Sequence, residues 1–268
     1  MSDGLQRLLV RLSALERATP NHSTIDPRAR IVVTLVYLIV MLSVPIMRLS
    51  ELLLYALFPI ICAADVGIRY RPILQQSLVI VPFAALIGVF NIFYHREAAF
   101  AIGGVIITRG WLEFGSIIVR ALLSVQALLL LVRIEGYNPL CRNLQRLGMP
   151  AMLATQLIML YRYIFVLAEQ LLSLTRARAS RSFNRRAMPV SEWGSIVGQL
   201  TVRTIERAER ISLAMAARGF EGRMPAPTTP PRRWLWRDTI YVAMWSTALI
   251  ACRVLYPVER LVQLFETL

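Results

Sequence analysis

The sequence predicts an all-α membrane protein, with about five transmembrane helices and a cytosolic or interfacial domain of long amphipathic helices. Three observations lead there. The chain of 268 residues is 56% hydrophobic, with a mean hydropathy of +0.55, which is too apolar for an ordinary soluble domain. Its apolar residues gather into runs close to the length of a bilayer span, about 20 residues. Its 30 basic residues are all arginine, they leave a net charge of +14, and they crowd into a few intervals between the runs.

Residues 1–30 form a polar N-terminal segment, placed in the cytosol, in which Leu5, Leu8, Leu9, Leu12 and Leu15 share one helical face. Residues 31–133 hold the first four membrane helices. The first run follows Asp26-Pro27-Arg28-Ala29-Arg30 and extends from Ile31 to Ile46; it is short for a span, but flanking arginines can snorkel. The second, Leu52 to Ile68, ends at Arg69-Tyr70-Arg71-Pro72. The third runs from Ile73 to Tyr94, and Pro82 should kink it. A short loop leads to Trp111, which opens the fourth; that run ends at Val132 and carries Arg120. Residues 134–223 read as cytosolic helices and 224–237 as a stiff linker, in which Pro225, Pro227, Pro230 and Pro231 favour extended backbone. Residues 238–268 hold the fifth membrane helix, Ile240 to Tyr256, and a C-terminal tail, with Trp234 and Trp236 as interfacial anchors.

Orientation follows from the arginines. With the N-terminus inside, 5 arginines fall in residues 1–30, 2 in 69–71 and 17 in 133–237, all on the inner side. The apolar stretch Met149–Ala168 is long enough to cross, but a crossing there would move most of the arginine-rich segment outside, against the positive-inside tendency. It is therefore expected to lie under or along the membrane.

The segment Leu171–Arg223 carries two short arginine signatures at expected helix ends. The first reads Arg176-Ala177-Arg178-Ala179-Ser180-Arg181-Ser182-Phe183, the second Ala214-Met215-Ala216-Ala217-Arg218-Gly219-Phe220-Glu221-Gly222. Thr201–Ala217 has no proline or glycine and places Ile205, Ala208, Ile211 and Met215 at helical spacing. Gly219 stands where a left-handed cap is wanted, and Arg218 lies on the last turn, where the helix dipole favours a cation. An arginine-rich cytosolic helix is ordinarily a solvated face or a lipid-headgroup contact. The small neighbours Ala177, Ala179, Ala216, Ala217 and Gly219, which permit close approach, and the placing of the two signatures on separate helices point further, to an acidic partner with two equivalent sockets.

Other chemistry finds little support. There is no phosphate-binding glycine loop and no Gly-x-Ser-x-Gly elbow. His22 and His95 have no companions at metal-ligand spacing, so no metal, cofactor or catalytic residue is expected. Cys62, Cys141 and Cys252 read as buried thiols. Arg120 within a span is costly; reach to the interface, or pairing with a carboxylate such as Glu113, would account for it. The positive charge finds no nucleic-acid-binding motif beside it, so lipids and acidic proteins are the expected contacts.

Several stretches carry a resemblance to a known family: Asp26–Arg30, Leu144 to Pro150 (Leu-Gln-Arg-Leu-Gly-Met-Pro), Tyr161 to Leu167, both arginine signatures, and Glu206-Arg207-Ala208-Glu209-Arg210 through Gly222. The sequence resembles the transmembrane T component of energy-coupling factor transporters, most closely the cobalt/nickel type, the CbiQ family. Ser182 departs from the glycine often found there. The resemblance implies a non-catalytic subunit of the cell inner membrane that joins two cytosolic ABC ATPases to a separate metal-binding membrane S component of the CbiM type, with a small accessory subunit of the CbiN type as a further candidate. It implies that Arg181 and Arg218 enter grooves on the two ATPases, supported by Arg178, Ser180, Ser182, Ala217 and Gly219, and that residues 134–223 are coupling helices. A T component for a vitamin, and an anionic-lipid-binding membrane scaffold, are the alternatives. The isolated chain is expected to bind Co²⁺ or Ni²⁺ no better than a generic surface does.

Overall fold

The computed structural model describes residues 25–45, 49–94, 98–102, 105–181, 190–222 and 233–254. The N-terminal leucine face, Ser182, the proline-rich run from Pro225 to Pro231 and the tail beyond Val254 lie outside the described residues. The described chain is almost entirely helical and divides into two units. One is built from the residues between Pro20 and Glu135 together with those after Arg232; the other lies between Gly136 and Pro231.

The first unit begins with α1, Pro27–Leu42, whose start is dictated locally. The Asp26 carboxylate accepts the Arg28 N–H, and Pro27 at the first helical position forfeits a donor that would have had no partner. The expected second span is two helices, α2 (Leu49–Tyr55) and α3 (Leu57–Val66), broken at Ala56. Pro59 is the cause. It has no N–H to give the Tyr55 carbonyl and its ring crowds that oxygen. The freed carbonyl accepts the Tyr37 hydroxyl at 3.2 Å, so the break is satisfied by a side chain from α1.

The third run behaves similarly. Helix α4 (Arg71–Ser77) passes through a 3₁₀ turn at Leu78–Ile80 into α5 (Val81–Tyr94), so the distortion expected of Pro82 falls on the turn before it. The expected short loop after it is a hairpin, β1 (Ala98–Ile102) antiparallel to β2 (Val105–Thr108). Then come α6 (Arg109–Glu135) and, after the second unit, α10 (Trp236–Val254).

Helix α6 is the centre of this unit and packs against α1 to α5. Tyr37 stacks on Phe58 with ring centroids 4.3 Å apart, and Trp245 of α10 meets Phe58 edge-on at 5.0 Å. Around them Val33, Met41, Leu52, Leu123, Ala127 and Leu249 are buried. Gly88 lets α5 approach α6 closely, since a Cβ there would stand 2.8 Å from the Phe114 ring. On its other side α5 exposes Phe83, Leu86, Ile87 and Phe90, an arrangement that suits lipid and not water. Three polar side chains inside the unit are bonded to each other: the Tyr70 hydroxyl donates to Gln126 Oε1 at 2.6 Å, and Gln126 Nε2 donates to Ser77 Oγ at 3.3 Å.

Arg120 resolves differently from the carboxylate pairing considered above. Its guanidinium donates to the Leu42 carbonyl at 3.2 Å and to the Val44 carbonyl, both at the C-terminal end of α1. Terminal carbonyls have no intrahelical partner and sit at the negative end of the dipole, which makes them a natural cation seat. Glu113 pairs instead with Arg109, one turn earlier, at 3.2 Å.

The second unit contains α7 (Tyr137–Arg146), α8 (Ala151–Arg181) and α9 (Val190–Ala217). The stretches 149–168 and 171–181, read separately in the sequence, form one helix of 31 residues. Tyr137 stacks on Tyr161 at 4.4 Å and locks α7 against α8.

By length and composition, three helical stretches among the described residues can cross a membrane: Arg71–Ile92, Arg109–Glu135 and Ala151–Arg181. The count differs from about five for physical reasons. The 16 residues of α1 rise about 24 Å, short of the roughly 30 Å hydrocarbon core. Pro59 divides the second run, and α10 carries Arg237, Asp238 and Arg253. Conversely α8, expected to lie along the membrane, has a span's length and hydropathy. The chain is a helical membrane protein.

Candidate functional site

The two arginine signatures occupy the C-terminal ends of α8 and α9, the long helices of the second unit. Helix α8 runs without a break to Arg181, with Arg178 and Arg181 in its last turn, where cations favour the dipole. Ser180 Oγ donates to the Arg176 carbonyl at 3.1 Å and Thr175 Oγ1 to the Leu172 carbonyl at 2.9 Å, so these hydroxyls are engaged within the helix. Arg181 is exposed and Arg178 is half-buried.

The end of α9 is more sharply built. After Ala217 the Phe220 N–H bonds back to the Met215 carbonyl at 3.0 Å and the Gly219 N–H to the Ala216 carbonyl at 3.0 Å. This is the Schellman pattern, and it requires a left-handed residue at Gly219, which has φ +72°. Glycine takes that conformation freely; another residue there would be strained, although a Cβ would meet no neighbour within 4 Å. The cap turns the chain sharply and leaves Ala217, Arg218 and Gly219 exposed. The motif Leu144–Pro150 works the same way at the end of α7: the Met149 N–H bonds to the Leu144 carbonyl and the Gly148 N–H to the Gln145 carbonyl, and Pro150 then leads into α8.

The helix pair holds its two arginine ends apart. Thr155 Oγ1, near the start of α8, donates to the Gly222 carbonyl, just past the end of α9, at 3.2 Å. The end of α9 is therefore tied close to Thr155, and Arg181 lies about 39 Å further along α8 at the helical rise per residue. The unit presents two guanidinium-bearing helix ends, well separated, each on its own rigid helix. Ser182 lies outside the described residues.

A second polar constellation, in the first unit, joins the Asp26–Arg30 stretch that stands out in the sequence to Asp238 and Glu135, which do not. Asp26 accepts from Arg28 Nε at 3.1 Å and from its terminal nitrogen at 3.2 Å, and Arg28 lies over the Trp234 ring at 5.5 Å. The Asp26 N–H donates to Asp238 Oδ1 at 2.8 Å, while Asp238 Oδ2 accepts the Leu235 N–H at 2.8 Å. Asp238 thus fastens the starts of α1 and α10 together, and it is fully buried. Two residues on, Arg30 donates to Glu135 Oε1 at 3.0 Å, a buried ion pair between the first turn of α1 and the last residue of α6. The stretch Asp26–Arg30 is a structural clasp. The signal that could have found it is the capping pattern Asp-Pro; its partners, far away in sequence, had none.

No group of three or more His, Cys, Asp or Glu among the described residues could hold a metal ion. Cys141 is free and buried, and burial pushes its thiol above the usual range, so it stays protonated near neutral pH and is no nucleophile.

Comparison with known proteins adds a family. Residues 20–229 match the family model of CbiQ, the cobalt transport protein. Among curated proteins the chain is 32% identical over 95 residues to the cobalt transport protein CbiQ of Rhodobacter capsulatus, covering 34% of this chain and 38% of that one. It is 33% identical over 89 residues to an uncharacterized protein of Methanocaldococcus jannaschii, covering 32% and 30%. The matched stretch thus spans about a third of the length of each relative.

Proposed function

Since the chain belongs to the CbiQ family of cobalt transport proteins, we propose that it is the energy-coupling membrane subunit of an ATP-driven importer of cobalt or nickel ions. In this role it is not an enzyme. It sits in the cell inner membrane with the second unit facing the cytosol, binds two ATPase subunits there, and passes their closure to a separate metal-binding membrane subunit. The observation that supports this most directly is the pair of exposed arginines, Arg181 and Arg218, at the ends of two long helices about 39 Å apart along α8.

Each feature of that arrangement has a use. A guanidinium in a partly desolvated groove makes two parallel bonds to a carboxylate, which an ammonium does not reproduce. The Schellman cap at Gly219 fixes where Arg218 is presented, so little order has to be gained on binding. Long helices gripped at both ends act as levers when two ATPases approach each other. The metal is cargo, and its ligands would belong to the other membrane subunit.

The test replaces Arg181 or Arg218 with alanine in the assembled transporter and measures ATPase retention and metal uptake. Truncating one member of a buried, hydrogen-bonded charge pair costs about 2–5 kcal/mol. Each variant should weaken assembly or uncouple hydrolysis from uptake, lysine should rescue in part, and the double variant should be worse. Arg185 and Arg186, outside the signatures, serve as controls. If losses track the number of arginines removed wherever they stand, the lipid-binding scaffold is the better reading.

A further inference from the structure

Between α8 and α9 runs a groove of about 480 Å³, within the roughly 300–1,000 Å³ range of small-molecule sites. Met159, Val166 and Leu167 of α8 face Ile211 and Met215 of α9 across it, and Phe220 lies at one end. Beside it lies a second cavity of about 410 Å³ lined by Gln170, Arg203, Arg207 and Arg210; the two cavities share Arg207 and Ile211. The three arginines are spaced i, i+4, i+7 on α9, which puts them on one face. None makes an ion pair among the described residues, although Glu206 and Glu209 lie on the same helix. Arg207 rests over the Tyr163 ring, 5.9 Å from its centroid, at the border between the apolar and the cationic cavity.

An apolar channel along a span-like helix, opening sideways onto three guanidinium groups that have no ion pair among the described residues, has the division of an anionic phospholipid into tail and headgroup. We propose that this face of the helix pair binds one such lipid, its acyl chain in the groove and its phosphate against Arg203, Arg207 and Arg210. Charge complementarity selects the occupant. A zwitterionic lipid would bring a choline or ethanolamine cation toward the three arginines, and a purely apolar partner segment would leave them unanswered. One end of the groove reaches Met215 and Phe220, beside the cap that presents Arg218, but Arg203, Arg207 and Arg210 lie outside both signatures, so replacing them tests this site without touching the coupling proposal.

The experiment uses the full-length chain in a mild nonionic detergent, with phosphatidylglycerol or phosphatidylcholine titrated in and bound lipid counted by native mass spectrometry. At about fivefold per arginine, retention should favour phosphatidylglycerol on the order of 100-fold. The triple variant R203Q/R207Q/R210Q should abolish that preference, while R69Q/R71Q/R162Q, which removes the same charge from other exposed positions, should keep it. Filling the groove with Ala208→Phe should lower retention of both lipids; Ser212→Leu does the same job if the first variant fails to fold, as judged by its thermal midpoint. Millimolar inorganic phosphate should not displace the lipid. Equal binding of the two lipids, or an equal loss with the control triple, would overturn the proposal in favour of bulk charge. Full displacement by phosphate would make this a free-anion site. Unchanged phosphatidylglycerol retention in a folded groove-filled variant that has lost a co-assembling subunit would make the groove a protein seat.

Discussion

Replacing Glu135 with alanine should be among the most damaging single changes in the first unit. Both members of the Arg30–Glu135 pair are buried and their bond is 3.0 Å long. Removing one partner strands the other charge in a low-dielectric interior, at about 3–5 kcal/mol. A small offset comes from the helix itself: Glu135 is the last residue of α6, where a carboxylate opposes the dipole, so its loss returns about 0.3–1 kcal/mol. The stranded guanidinium outweighs that several-fold. Asp65 lines the same narrow crevice as Arg30 and could serve as a substitute partner, so E135A should also be made with D65N. The double variant R30M/E135L, which fills the space with apolar groups, should recover to near the parent stability, because a buried pair and a well-packed apolar pair are often equivalent. Thermal unfolding of the full chain in detergent, read by tryptophan fluorescence and by size-exclusion survival after heating, gives the answer. At about 2–4 °C per kcal/mol for a chain of this size, the net loss of about 2–5 kcal/mol should cost E135A roughly 4–19 °C. A midpoint within about 1 °C of the parent for E135A/D65N, or a double variant no better than the worse single one, would refute the reasoning.

Further expectations concern the caps and the topology. Gly219→Ala should cost about 1 kcal/mol, through backbone strain at φ +72° and not through a clash, and should weaken coupling as Arg218→Ala does; an unchanged midpoint with unchanged uptake would count against the cap. Asp238→Ala deprives two backbone N–H groups of an anionic acceptor, each bond worth about 1.5–3 kcal/mol. Hydrogen exchange should show lost protection at Asp26 and Leu235 together, and loss at one alone would break the clasp argument. Cysteine labelling from either side of the membrane should find residues 1–30 and 170–223 inside and Leu268 outside; labelling at Arg181→Cys from outside the cell would sink the orientation.

What the sequence disclosed was local. Gly219 was legible because a left-handed cap needs only a helix before it and a glycine after it. Pro82 was legible because proline distorts a helix whatever surrounds it. Pro59 obeys the same rule, yet the run Leu52–Ile68 reads as one span, because hydropathy counts side chains and is blind to the backbone bond that proline forfeits. The hairpin was missed although Gly103-Gly104 lies between two apolar, partly β-branched stretches, a known two-residue turn signal. The membrane pattern hid it. What could not be read at all was partnership. Nothing in Asp26–Arg30 says that its acceptors are Asp238 and Glu135, since those contacts exist only once the helices are packed. The groove beside Arg203, Arg207 and Arg210 could not be read either, because part of its lining comes from α8.

The clasp between Asp26 and Asp238 joins residues 212 positions apart in the chain. A ribosome adding about 5–20 residues per second takes roughly 10–40 s to travel that distance. During that time α1 is already made and its buried acceptor does not yet exist. The helices α7, α8 and α9, by contrast, follow one another in the chain, and their contacts with each other join residues that are all made before α10 emerges. The contacts within the helix pair that carries Arg181 and Arg218 therefore become available during synthesis before the clasp that closes α1 against α10.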